Sequence, residues 1–180
     1  IEEGEHRGDK GNVKVKKPLS IIGAGCGMTT LVGVGLKIQG NKSDGTVVIQ
    51  DLSLQGGKDA GLCAYEGMDL IVRRCKVEKF QCCGVYAYNA HISCDDVQVV
   101  GCAYSGVCAQ GSGSGTVKLS GANTRIEGNV TCGNSSSYGL ETGSSSAKIQ
   151  IVTPLTKDTI SINNGGGGNW GGSGIEQVSK

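Results

Sequence analysis

Aromatic residues are scarce in this chain, proline is rarer still, and neither sign of charge is in excess. Phe, Trp and Tyr together make up 4% of the 180 residues, there are 2 prolines, and the formal net charge is +1. A balanced charge without a basic stripe gives no indication of a nucleic-acid partner. No apolar run approaches the roughly 20 residues that span a bilayer, so no membrane partner is predicted. The localisation stays open.

Glycine is abundant instead, with 32 residues, and several of these glycines open similar segments. Repeats of roughly 20 to 50 residues are typical of one supersecondary unit stacked on copies of itself. The chain is therefore predicted to form a single repeat domain, residues 1–180. The glycines that open a segment are each followed by an aliphatic residue: Gly35-Leu36, Gly61-Leu62, Gly84-Val85, Gly106-Val107 and Gly139-Leu140.

Apolar residues form four columns through six successive repeat units. Within each unit the columns form two pairs, and the members of a pair are two residues apart, which is the periodicity of a β-strand. In unit order, the first column is Val13, Val47, Leu70, Ile92, Val117 and Ile149, and the second is Val15, Ile49, Val72, Cys94, Leu119 and Ile151. The third is Leu19, Leu52, Cys75, Val97, Thr124 and Ile160, and the fourth is Ile21, Leu54, Val77, Val99, Ile126 and Ile162.

The segment after each repeat glycine supplies a third short strand, as in Val85 and Ala87. Three short strands per turn predict an all-β fold, a right-handed single-stranded parallel β-helix (a β-solenoid). We expect about six to seven rungs, with the four columns buried and stacked at the strand spacing of roughly 4.8 Å. Residues 165–174 are predicted to be a flexible glycine-rich segment before a final partial strand.

The 9 cysteines could suggest a disulfide scaffold, but their positions in the repeat favour reduced thiols. Cys75 and Cys94 fall in different inward columns, where Cys acts as a small hydrophobe. Cys63 and Cys108 share an outward column two rungs apart, roughly 9 to 10 Å, which is too far for a bridge. The vicinal pair Cys82-Cys83 lies at a corner, where a bridge is strained. No metal-ligand spacing is present, and neither a metal nor a cofactor is predicted.

The N-terminal part of the chain carries a resemblance to a known superfamily. It contains Lys17-Pro18-Leu19-Ser20-Ile21-Ile22-Gly23-Ala24-Gly25, followed by Thr29-Thr30-Leu31. This pattern resembles the N-terminal rungs of right-handed parallel β-helix proteins of the pectate-lyase-like superfamily. The resemblance implies the fold but leaves the activity open. Members of that superfamily include lyases, hydrolases, esterases and epimerases that act on acidic polysaccharides, and others have no known catalysis.

The tandem pair Asp95-Asp96 is the candidate for catalysis. It resembles part of the acid/base set of polygalacturonase-type hydrolases, whose chemistry needs two carboxylates flanking a glycosidic bond. The further aspartate, the Gly-His-Gly and the basic motif of those enzymes are missing, as is the acidic Ca²⁺-ligand cluster of a pectate-lyase-like site. The alternative is a structural charge ladder, because the pair aligns with Arg73-Arg74 one rung earlier and with Gln50-Asp51 before that.

Tyrosines are concentrated on the outward face of the strand that follows each repeat glycine. If Leu62 and Val85 point inward, Tyr65, Tyr86 and Tyr88 point outward on adjacent rungs. Exposed aromatic rings suit stacking against sugars, and the resemblance implies polysaccharide bound along a strand face. The alternative is that the rings only stack on one another along the ladder.

Two classes of function follow from these observations. The leading interpretation is a non-catalytic β-solenoid scaffold or interaction module, either a non-catalytic member of the superfamily or a fragment engineered from a longer repeat protein. The alternative is a protein that binds or processes polysaccharide (as a lyase, hydrolase or epimerase) through Tyr65, Tyr86 and Tyr88, with Asp95 and Asp96 as candidate acids.

The two ends of the chain are interpreted as partial rungs. Gly11-Asn12-Val13 aligns with Gly45-Thr46-Val47, and Gly174-Ile175-Glu176-Gln177-Val178 begins another strand. Solenoids normally cover their terminal strand edges with a capping element. No amphipathic capping helix is recognised before the first rung, so the terminal rungs are expected to be exposed and to self-associate end to end.

Overall fold

Three parallel β-sheets wind into a solenoid in the computed structural model, which describes residues 1–8, 11–113 and 115–179. Each sheet contains seven strands, and the solenoid has about seven turns. Each turn contributes one strand to sheet A, one to sheet B and one to sheet C, in that order along the chain. The predicted all-β parallel solenoid with three short strands per rung is therefore confirmed.

Strands are numbered β1 to β21 in chain order. Sheet A contains β1 Gly4–Arg7, β4 Thr29–Val32, β7 Ser53–Gly57, β10 Lys76–Phe80, β13 Gln98–Val100, β16 Arg125–Glu127 and β19 Ser161–Ile162. Sheet B contains β2 Val13–Val15, β5 Leu36–Ile38, β8 Leu62–Tyr65, β11 Val85–Tyr88, β14 Val107–Gln110, β17 Leu140–Thr142 and β20 Trp170–Gly171. Sheet C contains β3 Ser20–Ile22, β6 Thr46–Gln50, β9 Asp69–Arg73, β12 His91–Asp95, β15 Thr116–Ser120, β18 Lys148–Val152 and β21 Ile175–Val178. A 3₁₀-helix, Lys42–Asp44, and a short helix α1, Lys157–Ile160, lie in the connections.

The inward columns of the middle rungs stack in the predicted register. In sheet C, Val72 pairs with Ile49 on one side and with Cys94 on the other, and in sheet A Val77 pairs with Val99. All five side chains are at most 1% exposed. Burying a Val or Ile side chain contributes about 1.5–3 kcal/mol, so these columns are the main source of stability.

The predicted register is wrong in the first rung. The prediction aligns Val13 with Val47, but Val13 pairs with Leu36 in sheet B and is 50% exposed. Ile21 pairs with Ile49 in sheet C instead of extending the fourth column, and Leu19 is 41% exposed. The cause is that a spacing of two identifies a strand but not the sheet it joins, because all three sheets share that periodicity. Val15 likewise lies in sheet B, where it pairs with Ile38, instead of in the predicted column with Ile49.

The register is also wrong by one residue in the last rung. Ser161, not Ile162, pairs with Ile126, and Ile162 pairs with Glu127. Helix α1 precedes this strand, capped at its start by the Thr156 hydroxyl, which accepts a hydrogen bond from the Thr159 amide at 3.3 Å. The inserted turn changes the spacing between the strands, so the repeat count no longer gives the register.

The glycine-rich segment at residues 165–174 contains strand β20, and strand β21 follows it. Gly167 and Gly171 lie against the ring of Tyr138, and a β-carbon at either position would overlap that ring. Glycine is therefore required there by close approach to the previous rung. The flexibility expected for this segment stays a prediction.

Apolar side chains are exposed on the first rung. Ile1, Val13, Leu19 and Ile22 are between 41% and 50% exposed, and they lie at the end of the solenoid where β1, β2 and β3 form the sheet edges. End-to-end association through this edge stays a prediction. No helix in the described part of the chain is long and apolar enough to cross a bilayer.

Candidate functional site

Three tyrosines form a cluster on the outward face of sheet B, here called the tyrosine patch: Tyr65, Tyr86 and Tyr88. Tyr88 pairs with Tyr65 in the strand register, and Tyr86 lies two residues before Tyr88 on the same face. The Tyr65 ring centroid is 5.9 Å from that of Tyr86 and 6.2 Å from that of Tyr88, and the Tyr86 and Tyr88 centroids are 6.5 Å apart. These separations lie within the range of favourable aromatic pairs. The structure thus brings the three predicted ligand-binding residues together.

Hydrogen bonding and a nearby cation hold the tyrosine patch in place. The Tyr86 hydroxyl donates to Oε1 of Gln110 at 3.1 Å. The Lys37 ammonium lies 4.3 Å from the Tyr65 ring centroid, a cation–π contact. Burial raises the pKa of Tyr65 and of Tyr86 above the usual range, because the phenolate would lose solvation. Both phenols are therefore neutral hydrogen-bond donors at physiological pH.

A groove with a volume of about 520 Å³ lies beside the patch, here called the sheet B groove. Its size is within the range of small-molecule sites, about 300–1,000 Å³. It combines aromatic rings, amide and ammonium hydrogen-bond donors, one carboxylate and three thiols. The lining residues are Asn12, Lys14, Lys37, Asp59, Ala60, Cys63, Tyr65, Cys82, Cys83 and Tyr86.

The outward column of sheet B explains why these groups meet. Lys14, Lys37, Cys63, Tyr86 and Cys108 occupy consecutive register positions on five adjacent strands. Side chains of one outward column stand on the same face at the inter-strand distance. The column therefore changes from cationic to aromatic along the solenoid axis.

Sequence reasoning missed the two lysines and Asp59 as parts of this site. Lys14 could have been found, since it alternates with Val13 and Val15 as the tyrosines alternate with their inward neighbours. The wrong register of the first rung placed it beside sheet C instead. Asp59 lies in a connection between strands, where no periodicity applies.

Cysteines on the outward side of sheet B are buried rather than exposed. Cys63 is 1% exposed and Cys108 2% exposed, although both alternate with inward residues as predicted. The Cys63 thiol accepts a hydrogen bond from the Asn12 amide at 3.6 Å, and burial raises the Cys63 pKa to about 12. The hydrogen bond with the Cys108 thiol and the burial of the side chain raise the pKa of Cys83, whereas the hydrogen bond with the Cys82 thiol lowers it. All 9 cysteines are free thiols.

Thiol reactivity is expected to follow this burial. Only a thiolate attacks a chromogenic disulfide reagent, and a raised pKa and a closed environment both slow the reaction. At pH 8 the exposed Cys26 and Cys132 should react first, and Cys75 and Cys94 should stay protected until the protein unfolds. Release of the chromophore, followed over time with and without denaturant, measures this. Replacing Cys26 and Cys132 by Ser should remove the fast phase, and a rapid reaction of Cys94 in the native protein would contradict the assignment.

The candidate acids Asp95 and Asp96 have hydrogen-bond partners on the next rung. Asp95 Oδ1 accepts from the Ser120 hydroxyl at 2.8 Å, and Asp96 Oδ1 accepts from the backbone N–H of Asn123 at 2.9 Å. Asp96 has φ 53°, a left-handed corner conformation that Asp tolerates better than most residues. These contacts join successive turns of the solenoid.

One pair of the expected charge ladder is formed, one rung earlier, between Asp51 and Arg74. Asp51 accepts two hydrogen bonds from the Arg74 guanidinium, at 2.6 Å and 2.8 Å. This pairing lowers the pKa of Asp51 and raises that of Arg74. Asp51 and Arg74 occupy left-handed corners like that of Asp96. A catalytic role for Asp95 and Asp96 stays a prediction.

Within the described residues, no group of three or more His, Cys, Asp and Glu side chains is arranged to hold a metal ion. Comparisons with protein-family models, with curated proteins and with solved structures found no match to this chain. The resemblance to the pectate-lyase-like superfamily therefore stays a prediction, while the solenoid architecture stands on the strand register.

Proposed function

We propose that this protein is a non-catalytic interaction module that binds carbohydrate on the outward face of sheet B. The observation that carries the proposal is the position of the tyrosine patch at the side of the sheet B groove. Tyr65, Tyr86 and Tyr88 are all partly exposed, so their rings offer apolar surface to a sugar ring while their hydroxyls stay near water. The groove beside them has the volume of a small-ligand site.

The polar groups around the groove complement the hydroxyl groups of a sugar. Lys14 and Lys37 supply ammonium donors, and Asp59 supplies a carboxylate acceptor. The thiols of the buried Cys63 and the half-buried Cys83 add apolar surface to the groove. A few fixed polar groups on a mostly apolar surface is the usual composition of a binding pocket.

Binding without turnover is favoured over processing by the number of carboxylates. Glycoside hydrolysis needs a pair of carboxyl groups on either side of the scissile bond. Among the described residues that line the sheet B groove, Asp59 is the single carboxylate. A reducing-sugar assay distinguishes the alternative function: release of sugar that is lost on Asp96→Asn would favour a processing enzyme.

Replacing Tyr86 by Ala is expected to weaken carbohydrate binding about tenfold, which corresponds to about 1.4 kcal/mol. The substitution removes the ring that contacts both Tyr65 and Tyr88, and aromatic residues at the centre of a binding surface dominate affinity. Isothermal titration against the best ligand from a glycan screen measures the change.

Two variants control for this test. Tyr86→Phe keeps the ring and loses only the hydrogen bond to Gln110, so its affinity should stay near that of the parent protein. Tyr104 is 41% exposed and lies outside the patch, so Tyr104→Ala should bind normally. Equal affinity of Tyr86→Ala and the parent protein would contradict carbohydrate binding at the tyrosine patch.

A further inference from the structure

A second surface feature lies at the corner where sheet A leads into sheet B. Successive rungs place one residue at this corner in the left-handed backbone conformation, with φ between 55° and 80°. Glycine adopts this conformation without strain, and Asn tolerates it. The corner residues are Gly33, Gly56, Lys79, Gly101, Gly128 and Asn163.

Lys79 is the exception in this column. With φ 58° it is the one corner residue in the set that is neither Gly nor Asn. A side chain with a β-carbon is disfavoured in this conformation, and such residues are concentrated at functional sites. Its neighbours Gly56 and Gly101 have no side chains, so the surface on both sides of Lys79 is open.

Lys79 also lines a groove of about 720 Å³, here called the sheet A groove. Glu5 and Arg7 on the first rung form one side, and Lys79 and Gln81 on the fourth rung form the other. The second and third rungs form the floor of the groove, where Gly33, Gly56 and Gly57 have no side chains that would fill it. The remaining lining residues are Gly11, Val32, Gln55 and Lys58.

The described lining of this groove carries an excess of positive charge. Arg7, Lys58 and Lys79 are cationic, and Glu5 is the one acidic residue among them. The Glu5 carboxylate is 2.6 Å from the Arg7 guanidinium. Neither Lys58 nor Lys79 forms an ion pair with any residue that the structure describes. Two ammonium groups therefore face the groove without a neutralising partner in that part of the chain.

We propose that the sheet A groove binds a small polyanion that carries at least two phosphate or sulfate ester groups. Lys58 and Lys79 lie on adjacent rungs and bind one group, while Arg7 binds another across the floor. Three strand spacings separate the first rung from the fourth, roughly 14 Å, and the long Arg and Lys side chains shorten the span between their charged ends. The amides of Gln55 and Gln81 supply further hydrogen-bond donors.

Calorimetric titration with two probes tests this site: a disaccharide with two phosphate ester groups and the same disaccharide with two sulfate ester groups, each compared with the uncharged disaccharide. In about 10 mM salt, where the Debye length is about 30 Å, at least one probe should bind with a Kd of about 1 mM or tighter. Lys79→Asn should weaken binding about fivefold, and so should Lys58→Gln, since each removes one exposed charge contact. Binding of only one probe identifies the ester, phosphate or sulfate, that the groove accepts.

The choice of Lys79→Asn separates binding from folding. Asn163 occupies the same corner of the last rung, so the Asn variant should melt at the temperature of the parent protein or above it. Lys118→Asn, which removes an exposed lysine from sheet C, should leave binding unchanged, as should Tyr86→Ala. The proposal is overturned if neither probe binds the parent protein, or if Lys79→Asn binds as tightly as the parent does.

Discussion

Replacing Val72 by Asp is expected to prevent folding of the whole chain. Val72 is 0% exposed and lies between Ile49 and Cys94 on the neighbouring strands of sheet C. An unpaired carboxylate in this dry interior costs several kcal/mol, and the lost apolar burial adds to that. Typical domains are stable by only about 5–15 kcal/mol. Far-ultraviolet circular dichroism and thermal melting of the purified variant measure the effect.

The position of the charge, not its sign, should decide this result. Ser93 is an exposed residue of the next strand in sheet C, directly before the buried Cys94. Ser93→Asp therefore places the same carboxylate in water, one rung away, and should fold normally. A Val72→Asp protein that melts within a few degrees of the parent would mean that the interior register is wrong.

Raising the pH from 7 to 10 should lower the free energy of unfolding by several kcal/mol. Burial raises the pKa of Cys94 from 9.0 to about 12 and those of Cys75 and Cys102 to about 11, because a thiolate would be desolvated. In the unfolded chain these thiols ionise near their ordinary value. Their contribution to stability is therefore complete below pH 9 and is lost as the pH rises to about 11 for Cys75 and Cys102 and to about 12 for Cys94.

The size of this alkaline effect follows from linkage. At pH 10 the pH is about one unit above the pKa of each of these thiols in the unfolded chain, while the thiol in the folded protein is still mostly protonated. Each thiol therefore lowers the free energy of unfolding by about 1.4 kcal/mol. Urea unfolding at pH 7 and pH 10 measures the change. Cys94→Val provides the control, since Val72 fills the same column one rung away. The variant should lose about 1.4 kcal/mol less than the parent, and an equal loss would contradict the burial of a protonated Cys94.

Periodicity predicted the middle of the solenoid because each repeat there contains two pairs of alternating apolar residues and a strand-opening glycine. Val47 to Ile149 and Ile49 to Ile151 stack as expected. The predicted register was wrong in the first rung because no repeat glycine indicated which sheet Val13 joins. The predicted register was wrong in the last rung because helix α1 adds residues between β18 and β19. Periodicity therefore predicts the strands within a regular repeat, and the predicted register is wrong where a repeat is partial or contains an insertion.

The candidate site was predicted only where it lies on strands. Alternation along β8 and β11 placed Tyr65, Tyr86 and Tyr88 on one face, and the structure brings their rings within 6.5 Å of one another. Asp59, by contrast, lies in a connection between strands. No periodicity applies there, so its place beside the groove could not be predicted. Lys79 was also missed, because a left-handed corner is a property of the backbone that an apolar pattern does not reveal.

A glycan array probed with the parent protein and with Tyr86→Ala tests the central proposal most directly. The proposal predicts that the parent binds a defined group of polysaccharides and that Tyr86→Ala loses that signal, while Tyr104→Ala on the same array keeps it. A parent protein that binds no glycan, or a Tyr86→Ala protein with an unchanged pattern, would contradict a carbohydrate-binding face on sheet B.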